Sequence, residues 1–241
     1  MTAISRGMVL AAGLGLRMRP LTETRPKPLI GLFGQTLLDR ALERLSKAGV
    51  TKAVVNTHYK AGMIADHLAG RPGVTLSHEP DLLDTGGGVR NALPHLGNGP
   101  FFVVNSDSVW VDGPSQALAR VAAAWDDTAM DALLMVHPSV TAHGYHGAGD
   151  YFVEPDGPAR RRREFEVAPF VFTGVQILHP RLFNTSPPAA FSLNLLYDRA
   201  EAEGRLYALV HDGDWYHVGT PTDLRAAESE LADGHVAAQS R

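Results

Sequence analysis

The strongest constraint on this chain is a repeated alternation of short apolar runs with stretches of helical apolar spacing. Met8 to Ala12 reads as a buried strand broken off by glycine. In "GQTLLDRALERLSKAG", Leu37, Leu38, Ala41, Leu42, Leu45 and Ala48 share one helical face, and Gly49 is the stop. "VTKAVVN" predicts a second strand, "KAGMIADHLAG" a helix, "GVTLSHE" a third strand, "GGVRNALPHL" a helix and "PFFVVNSD" a fourth strand. Parallel strands need crossover connections of helical length, so this alternation predicts an α/β fold. Its central sheet is expected to be mostly parallel, with helices covering both faces.

Beyond Asp107 the pattern loosens. A helix is expected over about Ser115 to Ala124, then the strand "DALLMV". Pro138 to Pro169 is rich in Gly, His and Arg without a clear period and reads as loops and short strands. "FVFTGVQIL" and "RLYALVHD" predict strands flanking the helix "FSLNLLYDRAEAEG". In "TPTDLRAAESELA", Thr220 is the expected N-cap, Pro221 the first helical residue and Asp223 the third. With 241 residues, the reading is a single domain, residues 1–241, whose elaborated second half begins at about residue 114.

A net charge of −4 argues against nucleic acid as partner, because that binding depends on phosphate neutralisation. The absence of cysteine excludes disulfides, thiolate metal sites and cysteine nucleophiles. No apolar run reaches the roughly 18 residues a membrane span needs. Arg6 before the apolar Gly7–Leu16 stretch suggests a signal peptide, but Arg17 and Arg19 follow at once without a small-residue cleavage site. The expectation is a cytoplasmic protein, monomeric or a small homo-oligomer, that meets neither membrane nor nucleic acid.

Ligands of open parallel sheets bind beyond the carboxyl ends of the strands, where the first strand here ends in "AAGLGLR". A dinucleotide fingerprint needs a third glycine where Met18 stands, and Pro20 follows; a P-loop needs a lysine–serine ending the loop lacks. Two readings stand: a phosphate cradle whose charge comes from Arg17 and Lys27, or a tight turn with solvated basic side chains. "FFVVNSD" places Asp107 at the same edge of the sheet, either as an oxygen ligand for Mg²⁺ or as an N-cap. "EPDLLDTGGGV" places Glu79 at a strand end. Its glycines read as a helix start with exposed backbone donors, and the stretch either holds a nucleobase or is a plain helix start beside a solvated glutamate.

Taken together, "LAAGLGLRMRPLTETRPKPL", "DTGGG", "NSD" and "WYHVGTP" resemble, in that order, the sugar-1-phosphate nucleotidyltransferases. Within that family the likeness is to the short N-acetylmuramate-1-phosphate uridylyltransferases of peptidoglycan recycling, through "TGGG" and "HGAGDY". The resemblance implies a Rossmann-like nucleotidyltransferase fold without a separate acyltransferase domain. Carried over by position, it implies that Leu10, Ala11, Ala12, Gly13, Gly15, Glu79, Gly86 and Gly87 bind the nucleotide. It puts Arg17 and Lys27 on the triphosphate, and Asp107 on Mg²⁺ (or Mn²⁺). These last three are the expected catalytic residues, while Asn105, Asp150, Thr173 and Gly174 fall on the sugar-phosphate side.

The chain departs from the family twice. His217 stands where relatives carry a second metal-binding aspartate, and it is read either as a direct ligand or as acting through phosphate or a metal-bound water. "ARRRREFE" replaces a glutamate–lysine–proline segment, and Arg160 to Arg163 are either its substitute or a solvated basic loop. His137, His143 and His146 lack metal-site spacing and are expected at the surface or beside substrate. The activity implied is transfer of a nucleoside monophosphate from an NTP, UTP in the first reading, to a sugar 1-phosphate with release of pyrophosphate. The alternatives are a mannose-1-phosphate guanylyltransferase, a nucleotide-sugar sensor without catalysis, and a glycosyltransferase.

Overall fold

The computed structural model describes residues 4–155 and 157–239, the last seven of them as backbone alone. The first strand β1 (Arg6–Leu10) ends earlier than the apolar run does, leaving Ala11 to Gly15 as loop. A short helix α1 (Leu21–Thr24) and the two-residue strands β2 (Gly31–Leu32) and β3 (Gln35–Thr36) lead into α2 (Leu37–Lys47). Then come β4 (Lys52–Thr57), α3 (Ala61–His67), β5 (Val74–His78), α4 (Asp84–Leu96), β6 (Phe101–Asn105) and β7 (Val109–Trp110). The second half runs through α5 (Ala117–Ala124), β8 (Ala132–Pro138), β9 (Tyr151–Val153), β10 (Ala159–Arg161), β11 (Phe170–Leu178) and α6 (Asn194–Ala202). It closes with β12 (Leu206–Val210), β13 (Trp215–Tyr216) and α7 (Pro221–Gln239).

Among the described residues, nine strands form one mixed sheet. The order β6-β1-β4-β5 is parallel throughout; β11 pairs antiparallel with both β6 and β8, and β12 lies parallel to β8. The chain leaves β1 for β4 and β5, then returns to place β6 on β1's other side. Such a reversal opens a crevice at the carboxyl ends of the strands. Leu10 and Asn105 stand opposite each other at that point.

Two apolar layers hold the sheet. Leu38, Leu42 and Leu45 of α2 pack with Val9, Val55 and Phe102 on one face, while Val89, Ala92 and Leu96 of α4 join Met8, Phe101 and Leu134 on the other. Phe101 and Phe102, adjacent in sequence, are both wholly buried, one in each layer. That is the mark of a strand covered on both sides, and it explains why β6 reads as a continuous apolar run.

The start of α7 carries the expected capping box. Asp223 N–H donates to Thr220 Oγ1 at 3.2 Å, and Asp223 Oδ2 accepts Thr220 N–H at 2.8 Å. Thr220→Ala should lower unfolding stability by about 1 kcal/mol in urea denaturation, the usual cost of losing such a cap.

Candidate active site

A cleft of about 410 Å³ opens where β1 and β6 part company. It is walled by the loop after β1, by Lys27, by the ends of β4, β5 and β6, and by the first residues of α4. Each wall has a local cause. Ala11 N–H has left the sheet, and Asn56 Oδ1 accepts it at 2.7 Å. Gly15 adopts φ +63°, and a Cβ there would meet Thr22 Cγ2 at 2.9 Å, so the turn requires glycine. Thr22 Oγ1 donates to Gly15 O at 2.8 Å, and Tyr59 Oη donates to Thr22 O at 2.8 Å. The loop is thus fixed from three sides before any ligand arrives.

Lys27 sits at the junction of the two halves. Its Nζ lies 2.5 Å from Asp107 Oδ2 and donates to Val218 O at 2.6 Å. The lysine side chain is only 11% exposed, whereas the aspartate retains 34%. Arg17, on the 3-10 turn Leu16–Met18, is exposed. The cleft lining includes Leu10, Ala11, Ala12, Gly13, Gly15, Lys27, Glu79, Asn105 and Asp107 from the sequence reading, and does not include Arg17.

Other expected residues are placed differently. Glu79 borders the cleft yet exposes none of its surface. Asn56 Nδ2 donates to its Oε1 at 2.7 Å and Leu83 N–H to its Oε2 at 3.1 Å. A Cβ on Gly88 would lie 2.7 Å from that Oε1, so glycine there makes room for the carboxylate. The exposed helix-start donors read from "TGGG" are a correction: Gly86 and Gly87 are buried, and both their N–H groups donate to Phe191 O, at 2.9 and 3.1 Å. A loop more than a hundred residues downstream covers them, which no local pattern could announce.

Of the residues expected on the sugar-phosphate side, Thr173 is buried with its hydroxyl donating to Met135 O at 2.7 Å. Its carbonyl accepts from Ser108 Oγ at 2.8 Å and Trp215 Nε1 at 3.2 Å. Gly174 follows at φ +82°, within the irregular register between Phe172 and Val175, where a Cβ would come within 2.9 Å of Asn105 Nδ2. Asp150 accepts Phe172 N–H at 2.9 Å, and burial raises its carboxyl above the usual range. His217 is half-buried, with the Tyr145 ring edge-on at 6.1 Å. Burial lowers its pKa, and Arg17 and Lys27 push the same way against Asp223 and Asp107. This favours the neutral imidazole, the form able to donate a lone pair to a metal or a hydrogen bond to phosphate.

The arginine segment is largely consumed by structure. Arg160 pairs with Glu166 and lies over the Phe152 ring, Arg161 pairs with Asp198, and Arg162 Nε donates to Gly149 O at 2.9 Å. His137 is a further correction, since it is only 3% exposed and its ring contacts the carbonyls of Pro138 and Gly213. His143 is held between Glu230 at 2.5 Å and the Tyr216 ring. Sequence reasoning passed over Asn56, Ser106, Leu82, Asp84 and Thr85, all of which line the cleft. Asn56 had a readable signal: it is the polar residue ending "AVVN", as Asn105 ends "FFVVN".

Among the described residues, no group of three or more His, Cys, Asp or Glu side chains is arranged to hold a metal ion. The donor set is one partly exposed carboxylate, already facing a lysine ammonium, with a neutral imidazole nearby. That suits a hard cation held mainly by phosphate oxygens and water, with a single protein carboxylate.

The family profile "Nucleotidyl transferase" matches residues 6–234. The chain is 44% identical over 233 residues to "N-acetylmuramate alpha-1-phosphate uridylyltransferase" of Caulobacter vibrioides, covering 94% of this chain and 96% of that one. It is 33% identical over 230 residues to the protein of the same name in Neisseria meningitidis serogroup B, covering 93% and 97%. Among solved structures, UDP-glucose pyrophosphorylase complexed with UDP-glucose superposes with a TM-score of 0.79 at 15% identity, over 96% of this chain and 99% of the other. The fold, the cleft at its strand reversal and these likenesses agree: the chain belongs to the nucleotidyl transferase family, among the sugar-1-phosphate nucleotidyltransferases.

Proposed function

We propose that this protein transfers uridylyl from UTP to N-acetylmuramate 1-phosphate, releasing pyrophosphate, as a step of peptidoglycan recycling in the cytoplasm. The observation that carries the choice of base and sugar is the 44% identity, end to end, with the Caulobacter protein of that name. In this reading the segments up to β7 hold the nucleotide and the later ones the sugar phosphate.

An oxygen of the sugar phosphate attacks the α-phosphorus in line, a new P–O bond forms, and the bond to the bridging oxygen of the β-phosphate breaks. No enzyme nucleophile is required, so the protein's work is placement and charge. The Ala11–Gly15 loop, fixed by Asn56 and Thr22, receives the nucleotide against backbone. Lys27 and the exposed Arg17 hold the departing pyrophosphate and balance its growing charge. Asp107, aided by His217 directly or through water, would hold Mg²⁺ or Mn²⁺, whose charge would offset that of the phosphates. Asn105 and Asp150 stand on the acceptor side.

The test is a pyrophosphate-release panel crossing the four NTPs with N-acetylmuramate, mannose, glucose and N-acetylglucosamine 1-phosphates, in Mg²⁺ and in Mn²⁺. The highest kcat/KM is expected for UTP with N-acetylmuramate 1-phosphate. Preference for GTP with mannose 1-phosphate would overturn the assignment, and nucleotide binding without turnover for any pair would show a sensor.

A further inference from the structure

The carboxylate expected to meet the base is wholly buried with a protein donor on each oxygen, and a second, exposed one lines the same cleft. Both oxygens of Glu79 accept protein donors, and the residue has no exposed surface. Asp84, five residues on, lines the same cleft and is exposed. Its Oδ1 accepts Thr85 N–H at 2.6 Å, and among the described residues no other hydrogen bond reaches the side chain. A carboxylate has about four acceptor sites, so most of Asp84's capacity is open to the cleft.

Its place in the sheet says which part of a nucleotide it meets. Across the cleft the order is β6 with Asn105, β1 with Leu10, β4 with Asn56, and β5 leading to Glu79 and Asp84. Strands lie about 4.8 Å apart, so the end of β5 stands roughly 14 Å from the end of β6. Lys27 and Asp107 gather at the β6 end. A carboxylate beside the triphosphate would repel it, whereas one at the far end is reached only by the nucleoside. Leu82, beside Asp84 in the lining, adds an apolar surface of the kind a base rests on.

Building on the uridylyl-transfer reading above, we propose that Asp84 sets base choice by accepting the imide N3–H of uracil. Cytosine presents a bare N3 lone pair at that place and meets the carboxylate as acceptor against acceptor. Asp84 holds a backbone φ of +59°, so glycine fits the position without disturbing the fold.

The experiment measures dissociation constants for UTP, CTP and 2′-deoxy-UTP without sugar phosphate, for the wild type, Asp84→Asn and Asp84→Gly. The wild type should bind UTP more tightly than CTP. In both variants that ratio should shrink about tenfold, the usual scale of a hydrogen bond to a charged group. The ratio of UTP to 2′-deoxy-UTP should stay as in the wild type. An unchanged UTP:CTP ratio in Asp84→Gly overturns the proposal, as does a wild type indifferent to the two bases. A variant effect that appears instead in the 2′-deoxy ratio assigns Asp84 to the ribose and equally overturns it. Binding is read apart from turnover, so failure of the uridylyl-transfer reading appears separately, as a wild type that binds UTP but releases no pyrophosphate from it.

Discussion

Asp107→Ala should lower kcat by roughly 10²–10³-fold at saturating substrates, with the fold retained. The aspartate is the carboxylate nearest the lysine at the reacting end of the cleft, and it is the expected anchor of the metal. Removing it frees Lys27 from its partner and, in the proposed reading, would deprive the phosphates of their positioned cation. Lys27 keeps its bond to Val218 O, and Asp107 is itself one-third exposed, so little stability should go with the activity. Circular dichroism and thermal denaturation check the fold, and steady-state pyrophosphate release gives the rate. Near wild-type turnover in Asp107→Ala would remove this residue from the chemistry. Lys27→Ala should produce a drop of similar order, because Lys27 lies against Asp107 and is the residue proposed to hold the departing pyrophosphate.

The largest effect on stability is expected at Glu79. Alanine there strands two donors, the buried Asn56 Nδ2 and the part-buried Leu83 N–H, and opens a void beside Gly88. An unsatisfied buried polar group costs about 1–3 kcal/mol, so Glu79→Ala should lose about 3 kcal/mol or more of unfolding free energy. Glu79→Gln is the sharper probe. Both partners are donors, and one end of a glutamine amide is itself a donor, so no rotamer satisfies both. It should therefore be destabilised by about 1–3 kcal/mol although its shape is unchanged. Because Asn56 also holds Ala11 N–H, the same variant should bind UTP more weakly. Urea denaturation and nucleotide titration of Glu79→Gln measure the two effects. Wild-type values in both would show that the Glu79–Asn56–Ala11 chain does not shape the cleft.

Much of the first half was legible in sequence because its signals are local. β1 and β6 lie in apolar runs, α2 carries its apolar stripe at Leu37, Leu38, Ala41, Leu42 and Leu45, and α7 announces itself through Thr220, Pro221 and Asp223. The antiparallel return of β11 beside β6 was not legible, since a buried apolar strand reads the same in either direction. Within the cleft, the loop after β1, Glu79, Asn105 and Asp107 were visible as glycine, charge and polarity at strand ends. What could not be read was which groups the protein would use on itself. The donors of Gly86 and Gly87 go to Phe191, and the Thr173 hydroxyl goes to Met135. Those partners lie far away in the chain, and only the fold brings them near.

Lys27 has one more consequence, and it concerns the order in which the protein comes into being. Its ammonium is held by Asp107 and by the carbonyl of Val218, separated from it by 80 and 191 positions. A chain emerging from the ribosome can build β1, β4, β5 and β6, and with them a cavity for nucleotide, long before Val218 has been made. The lysine can meet Asp107 once β6 is in place, but its second tether, the Val218 carbonyl, is missing until synthesis is nearly complete. The full set of contacts around this ammonium is therefore among the last parts of the fold to close.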